Sequence, residues 1–475
     1  MKPYKIFIFI VLIISTLSLI CIFFPKDGIK IGNAQLRFPS LETVLVGHSQ
    51  KEGKIAEIDS VELKHLNDLK DTLQQYKVAL TDAPGHFYFP NDDITFFDKM
   101  FERMSQAKAN HEIIRVLHYG DSQIEMDRLS GNIRSFFQST FGGGGPGLVP
   151  VIQTIPSFAV SQGASGDFTL YTSYGEGARC KGNYGLMAKC YRLAGSGYFS
   201  ANASGHKETD SRVKHFSDVT LLYNDQAGNF TATLKDRRSA YSETCTSAGL
   251  GIHACRWHLD TATKSLQITM QGSADIYGIL LDDGYGVSVD NIPLRGSSGT
   301  QFTMINDTLL RTCYREANVG LIILQFGGNS VPVIYNDKSI ANYCDRIEHQ
   351  IKYIKRCYPA ATLLFIGPSD MSTRKGGELK TYPLLPQLIE KLRETVLRNH
   401  VAYCDLYEVM GGENSMIAWV NNGLSGPDYI HYTPAGAAKV GKALSNSFST
   451  AYEFYRKRLN MDPQQFDTLW NASSK

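Results

Sequence analysis

The stretch Ile113-Ile114-Arg115-Val116-Leu117-His118-Tyr119-Gly120-Asp121-Ser122 decides the fold. Its first half, 113–117, is a short, largely apolar run of the kind that forms a strand buried on both faces of a parallel sheet. It runs into a small, polar Gly-Asp-Ser turn, and a helical pattern follows over 128–141. Strand, tight turn and helix in that order are the first step of an α/β fold.

Working outward, four more apolar runs occur at 277–281, 319–326, 362–367 and 400–404. Amphipathic helical patterns lie at 97–109, 302–316, 340–357, 385–398 and 435–455. Buried strands alternating with helices predict a doubly wound, flavodoxin-like sheet of five parallel strands. Ligands in such sheets bind beyond the carboxyl ends of the strands. Both Gly120-Asp121-Ser122 and Gly327-Gly328-Asn329 fall at such ends.

The interval 150–276 has a different texture. It is rich in Gly, Ser, Thr and Tyr, with short alternating segments at 217–223, 230–234 and 265–271. That pattern predicts a β-sandwich. A structureless loop of that length would be unusual in a compact domain. The expected organisation is therefore an α/β domain over 95–149 and 277–460, interrupted by a β-insert at 150–276. A stalk at 26–94, with strand-like 29–38 and a helical pattern at 61–78, precedes it, and a tail at 461–475 follows.

At the N-terminus, Lys2 and Lys5 precede a nearly unbroken apolar stretch over 6–24. Its length matches a bilayer-spanning helix, and no small-x-small cleavage site follows it. Residues 1–25 are read as a retained signal anchor, with the basic end in the cytoplasm and the rest of the chain outside the membrane. The chain has 475 residues, 43% hydrophobic and 20% charged, which is the composition of a globular protein. A formal net charge of +2 with no basic run gives no case for nucleic acid. Nine cysteines show no metal-type spacing, and no metal or other cofactor is expected. Cys180/Cys190 and Cys245/Cys255 are equally spaced pairs, open to being either disulfides or buried thiols.

Ser122 needs a base to become a nucleophile at neutral pH. Among twelve histidines, His431 alone has a carboxylate, Asp428, three residues earlier in a loop entering a helix. Asp428 would fix the tautomer by accepting from Nδ1–H and leave Nε2 to face Ser122. Asn329 and Gly296 each follow an expected strand, and both supply donors suited to a developing oxyanion, alongside the Ser122 N–H. Gly299 is the alternative to Gly296.

These elements, in this order, resemble the SGNH (or GDSL) hydrolase superfamily. The first family block is matched at Gly120-Asp121-Ser122, the third at Gly327-Gly328-Asn329 and the fifth at Asp428-Tyr429-Ile430-His431. Gln123 stands where the family usually has Leu, and Ser330 where it often has Asp or Glu. The longer segment from His118 through Asp127, Arg128 and Arg134 to the glycine run 142–147 is similar to envelope SGNH proteins that act on O-acetylated glycans, peptidoglycan O-acetylesterases among them. The resemblance implies a catalytic Ser122, His431 and Asp428, an oxyanion hole of Ser122, Gly296 and Asn329, and a carbohydrate-binding-like insert. Tyr171, Tyr174 and Tyr184 are the insert's candidate glycan contacts.

The expectation is thus an extracytoplasmic serine esterase, held to the membrane by its N-terminal helix, that removes O-acetyl groups from a polysaccharide. One alternative is an O-acetyltransferase using the same acyl-serine, with a membrane acyltransferase as its partner. Another is a non-catalytic glycan-binding envelope protein.

Overall fold

The computed structural model describes residues 3–25, 29–31, 34–36, 68–203, 210–236 and 239–472. The chain divides into two compact units, Met1–Gln75 with Pro463–Lys475, and Tyr76–Asp462.

In the first unit, Pro3–Phe23 is one helix of 21 residues. Several of its side chains lie outside the described residues, and no helix among the described residues is long and apolar enough to cross a membrane. A span needs about 20 consecutive apolar side chains, so the expected anchor at 1–25 gains no support from the structure. Ile29–Ile31 and Ala34–Leu36 pair antiparallel, so the strand expected at 29–38 is a short hairpin where it is described. Of the helical pattern at 61–78, residues 68–78 are helical and 61–67 lie outside the described residues. The expected C-terminal tail contains a helix, Pro463–Ala472.

The second unit is built on a six-stranded sheet. Its order is Gly286–Pro293, Ile113–Gly120, Val319–Gln325, Thr362–Ile366, Ala402–Cys404 and Phe87–Tyr88. The first five are mutually parallel, in the flavodoxin-like order 2-1-3-4-5. Phe87–Tyr88 adds an antiparallel edge, although the sequence places it in the stalk. The edge is held by rings: Phe87 packs on Phe97 and Phe448, at centroid distances of 5.5 and 4.8 Å. Helices Asp98–Gln106, Ser130–Phe141 and Pro434–Leu459 pack as one group, and Asp307–Glu316, Asp337–Cys357 and Leu385–Arg398 as another. Two helical layers enclosing a parallel sheet explain why the strands read as continuous apolar runs.

One expected strand is in the wrong sheet. Residues 277–281 belong to Ser265–Asp282, an 18-residue strand of the β-insert, and the second parallel strand is Gly286–Pro293. The apolar run at 277–281 is nonetheless buried on both faces. Ile276, Ile279 and Leu281 enter the insert's own core, whereas Tyr277 and Leu280 enter the core of the α/β sheet.

The insert is one hydrogen-bonded sheet of eight antiparallel strands, running from Gly147–Val149 to Ser265–Asp282. Its edges therefore lie a few residues outside the expected 150–276. The pair Val160–Thr172 and Lys189–Ala203 is interrupted by a bulge between Gly166 and Phe168. Bulges of this kind let strands turn a corner. Gly166 sits at φ +124°, and a Cβ there would lie 2.4 Å from the Cα of Gly197. Because Leu148, Leu186, Met187 and Leu222 share one core with Leu117, Tyr119 and Ile322, the insert and the α/β sheet fold as one body. Of the two equally spaced cysteine pairs, Cys245 and Cys255 are disulfide-bonded, and Cys180 and Cys190 are buried free thiols.

Candidate functional site

Strand order reverses between Ile113–Gly120 and Val319–Gln325, and that switch point is where an open α/β sheet leaves a crevice. Ser122 leaves the first of these strands on a single 3-10 turn, Ser122–Ile124. Asp121 caps that turn, its Oδ1 accepting from the Gln123 N–H at 2.9 Å. The α-helix that follows begins at Ser130, within the helical pattern at 128–141.

His431 comes from the loop between helices Ser415–Asn421 and Pro434–Leu459. Its Nε2 lies 2.8 Å from Ser122 Oγ, and its Nδ1 lies 2.7 Å from Asp428 Oδ2. Asp428 Oδ1 accepts from the backbone N–H of Ile430 and of His431, at 3.0 and 3.1 Å. Tyr429, at φ +58°, is in the left-handed region, and this turns the chain back on the carboxylate. Burial pushes the Asp428 carboxyl up, but the hydrogen bonds from His431 and Ile430 outweigh it and hold it below the usual carboxylate value. An ionised Asp428 accepts from Nδ1–H and leaves Nε2 with its lone pair toward Ser122. That is the arrangement for taking the serine proton.

Two side chains to which the sequence motifs assign no role, Gln123 and Arg128, hold the two loops in register. Gln123 donates from Nε2 to the Ile430 carbonyl at 2.6 Å and accepts the Tyr432 N–H at 3.3 Å, spanning the backbone on both sides of His431. Arg128 donates to the carbonyls of Tyr432 at 2.8 Å and Ser122 at 3.1 Å. Gln123 stands where the SGNH motif usually has Leu, and a leucine could make neither bond.

Asn329 lies at the same pocket, on the 3-10 turn Gly328–Val333. Its Nδ2 donates to the Ser297 carbonyl at 3.1 Å and to Asp121 Oδ2 at 3.3 Å. Asp121 is fully buried, and burial raises its carboxyl to about 6 against the lowering effects of the Gln123 N–H, His431 and Asn329. Gly296 is exposed at φ +76° in the turn closed by Ser297 N–H to the Leu294 carbonyl, and it does not line the pocket. Gly299 is a packing glycine: its N–H is spent on Ser297 Oγ, and a Cβ would lie 2.7 Å from the Phe326 ring.

The pocket holds about 150 Å3 between Ser122, His431 and Asn329, walled by Phe326, Pro368 and Ile430. His118 is not a second base. Burial lowers it to about 4, and the neutral ring is held between Ser130 Oγ and Gln325 Oε1 at 2.8 and 3.0 Å. In the insert, Tyr184 is a core residue, 2% exposed, whose hydroxyl accepts the Cys180 N–H. Tyr171 is half-buried with the Arg192 guanidinium 5.1 Å from its ring centroid, and Tyr174 is half-buried near Lys189.

Among solved structures, the chain is similar to one described as a peptidoglycan O-acetylesterase in action, with a TM-score of 0.61 and 21% identity over 76% of this chain and 96% of that one. A family two carbohydrate esterase from Cellvibrio japonicus matches at a TM-score of 0.25 and 10% identity, over 62% of this chain and 99% of its own. A family 2 carbohydrate esterase with a carbohydrate binding domain from Corynascus thermopiles (Myceliophthora fergusii) matches at 0.26 and 12%, over 55% and 95%. No family model and no curated protein matches the chain. The first similarity shows a shared fold, and the SGNH/GDSL resemblance read from the motifs agrees with it.

Proposed function

We propose that this chain is an SGNH-type serine esterase that removes O-acetyl groups from an extracytoplasmic polysaccharide. The observation that carries the reading is the continuous hydrogen-bonded chain Ser122–His431–Asp428 opening on a small pocket. Ser122 Oγ attacks the acetyl carbonyl as His431 Nε2 takes its proton, and the carbonyl becomes an oxyanion. Collapse breaks the ester C–O bond. His431 returns the proton to the departing sugar oxygen, and acetyl-Ser122 forms. Water, deprotonated by His431, repeats the sequence and releases acetate.

The oxyanion donors are the Ser122 N–H and the Asn329 amide; the Gly296 N–H, expected as a third, lies outside the pocket on an exposed turn. Asn329 would offer the hydrogen now held only weakly by Asp121 at 3.3 Å. The small pocket suits a two-carbon acyl group better than a fatty chain. The Cys245–Cys255 disulfide supports an oxidising compartment, outside the cytoplasm. The insert is proposed to hold the glycan, with Tyr171 and Tyr174 as the half-exposed aromatic contacts.

Acetate release from a panel of acetylated polymers, peptidoglycan, capsular polysaccharide and plant glycan, tests the reading. Ser122→Ala should lower release by about 1000-fold or more while leaving the melting temperature unchanged. Undiminished release would end it.

A further inference from the structure

We propose that the pocket around Lys189 is a second binding site, for a short carboxylate that also carries a hydroxyl or amide hydrogen, gripped by the Lys189 ammonium and the Gln162 carboxamide. The pocket lies where the insert meets the end of strand Gly286–Pro293 and Arg134 of helix Ser130–Phe141, and it shares no residue with the Ser122 pocket. Its room is about 50 Å3, on the order of four waters' worth.

Lys189 is 8% exposed, and its Nζ makes one hydrogen bond, a long one of 3.3 Å to Thr154 Oγ1. An ammonium has three donors and demands a counter-charge when buried. No carboxylate answers it. The two other charged groups lining the pocket, Asp127 and Arg134, are paired with each other. Burial alone lowers the Lys189 ammonium, to about 8, with no acidic neighbour offsetting it.

Gln162 supplies the second, independent sign of a ligand. Its Nε2 donates to the Pro150 carbonyl at 2.7 Å, an atom that only accepts, so the amide's orientation is set. The Oε1 that this leaves is buried and has no partner. The rest of the lining is largely apolar, with Leu148, Pro156, Met187 and Pro293. One cation with no counter-charge, its Nζ 6.0 Å from the Tyr174 ring centroid, one unanswered acceptor and largely apolar walls describe a compact hydroxy acid or acylamino acid. Such a group exists either as a free small molecule or as a substituent on a glycan. The site does not depend on Ser122 chemistry.

Calorimetric titration of the full chain with lactate and N-acetylglycine tests the site, with lactamide and N-acetylglycinamide as neutral controls. Both acids should bind the wild type and Ser122→Ala equally, and the neutral amides should not bind. Lys189→Met should weaken binding by about tenfold or more. Gln162→Leu, which keeps the cation, should weaken it by a smaller factor and reads the site independently if Lys189→Met fails to fold. A carboxylated polysaccharide that binds while its carboxyl-reduced form does not would assign the site to a glycan substituent. Binding of the free acids alone would assign it to a small metabolite. Failure of both acids to bind the wild type, or equal binding by Lys189→Met, would overturn the proposal.

Discussion

The Nε2 of His431 lies 2.8 Å from the Oγ of Ser122 although the two residues are 309 positions apart in the chain. The parallel sheet does part of this work, because Ser122 leaves the carboxyl end of a strand next to the switch point. The clamp of Gln123 and Arg128 onto the backbone around His431 does the rest. Each part of that arrangement can be tested separately.

Asp428 Oδ2 lies 2.7 Å from His431 Nδ1, so under the proposed mechanism Asp428→Asn should lower kcat for acetyl ester hydrolysis by roughly 100- to 10,000-fold. The pair is open to solvent, with side-chain exposures of 40% for His431 and 48% for Asp428. An exposed pair contributes under about 1 kcal/mol to stability. The variant should therefore melt within a few degrees of the wild type while losing most of its activity. Retained activity, or a large drop in melting temperature, would contradict an orienting role.

Gln123 touches no reacting atom. Replacing it with Leu, the residue usual in the family, should loosen His431 against Ser122. Sub-ångström misplacement of a base costs about 10-fold or more in rate. For p-nitrophenyl acetate, kcat should fall by about that factor with KM nearly unchanged. Equal loss in both would mean that Gln123 acts on substrate binding instead.

Asp121 and Asp428 should respond to pH in opposite senses. Asp121 is raised to about 6 in the folded chain, from an ordinary 3.8. The folded state then binds more protons between those values, and stability falls as pH rises from about 4 to about 6. Asp428 is held below its ordinary value, so its contribution is present above about 4 and is lost as the pH falls further. Urea midpoints of wild type and Asp121→Asn, measured from pH 4 to 7, should converge at the acid end and separate toward pH 6, with the variant the more stable. Parallel profiles would rule out a raised Asp121.

Much of this was legible in the chain itself, for identifiable reasons. Val319–Gln325 and Thr362–Ile366 are buried on both faces, so their apolar runs mark them directly. Ser122, Asn329, Asp428 and His431 sit in contiguous short motifs. Gly286–Pro293 escaped notice because Ser288, Asp290 and Asn291 interrupt it, and their partners are distant: Arg115 for the first two, the Ile124 carbonyl and Ser130 for the third. Residues 277–281 misled for the converse reason, being a β-insert strand with two apolar faces. Gln123 and Arg128 act on backbone carbonyls some 300 residues away, and a carbonyl leaves no trace in side-chain pattern.

Arg115 is fully buried at the junction of insert and α/β sheet, where it pairs with Asp282 at the end of the insert and with Asp290, at 2.8 Å, on the neighbouring strand. Asp290 Oδ1 also accepts the Leu148 N–H at 2.8 Å, at the insert's entry. Burial pushes the Arg115 guanidinium down, but the two carboxylates outweigh it and raise it. Removing one member of a buried charge group leaves the others uncompensated, at about 3–5 kcal/mol. Arg115→Met should lower unfolding stability by that amount near pH 7. The two stranded carboxylates would take up protons as the pH falls, so the deficit should shrink toward pH 4. Denaturant unfolding of both proteins at the two pH values measures it. A loss under about 1 kcal/mol at pH 7, or a deficit that grows in acid, would mean that Arg115 is not what joins the insert to the sheet.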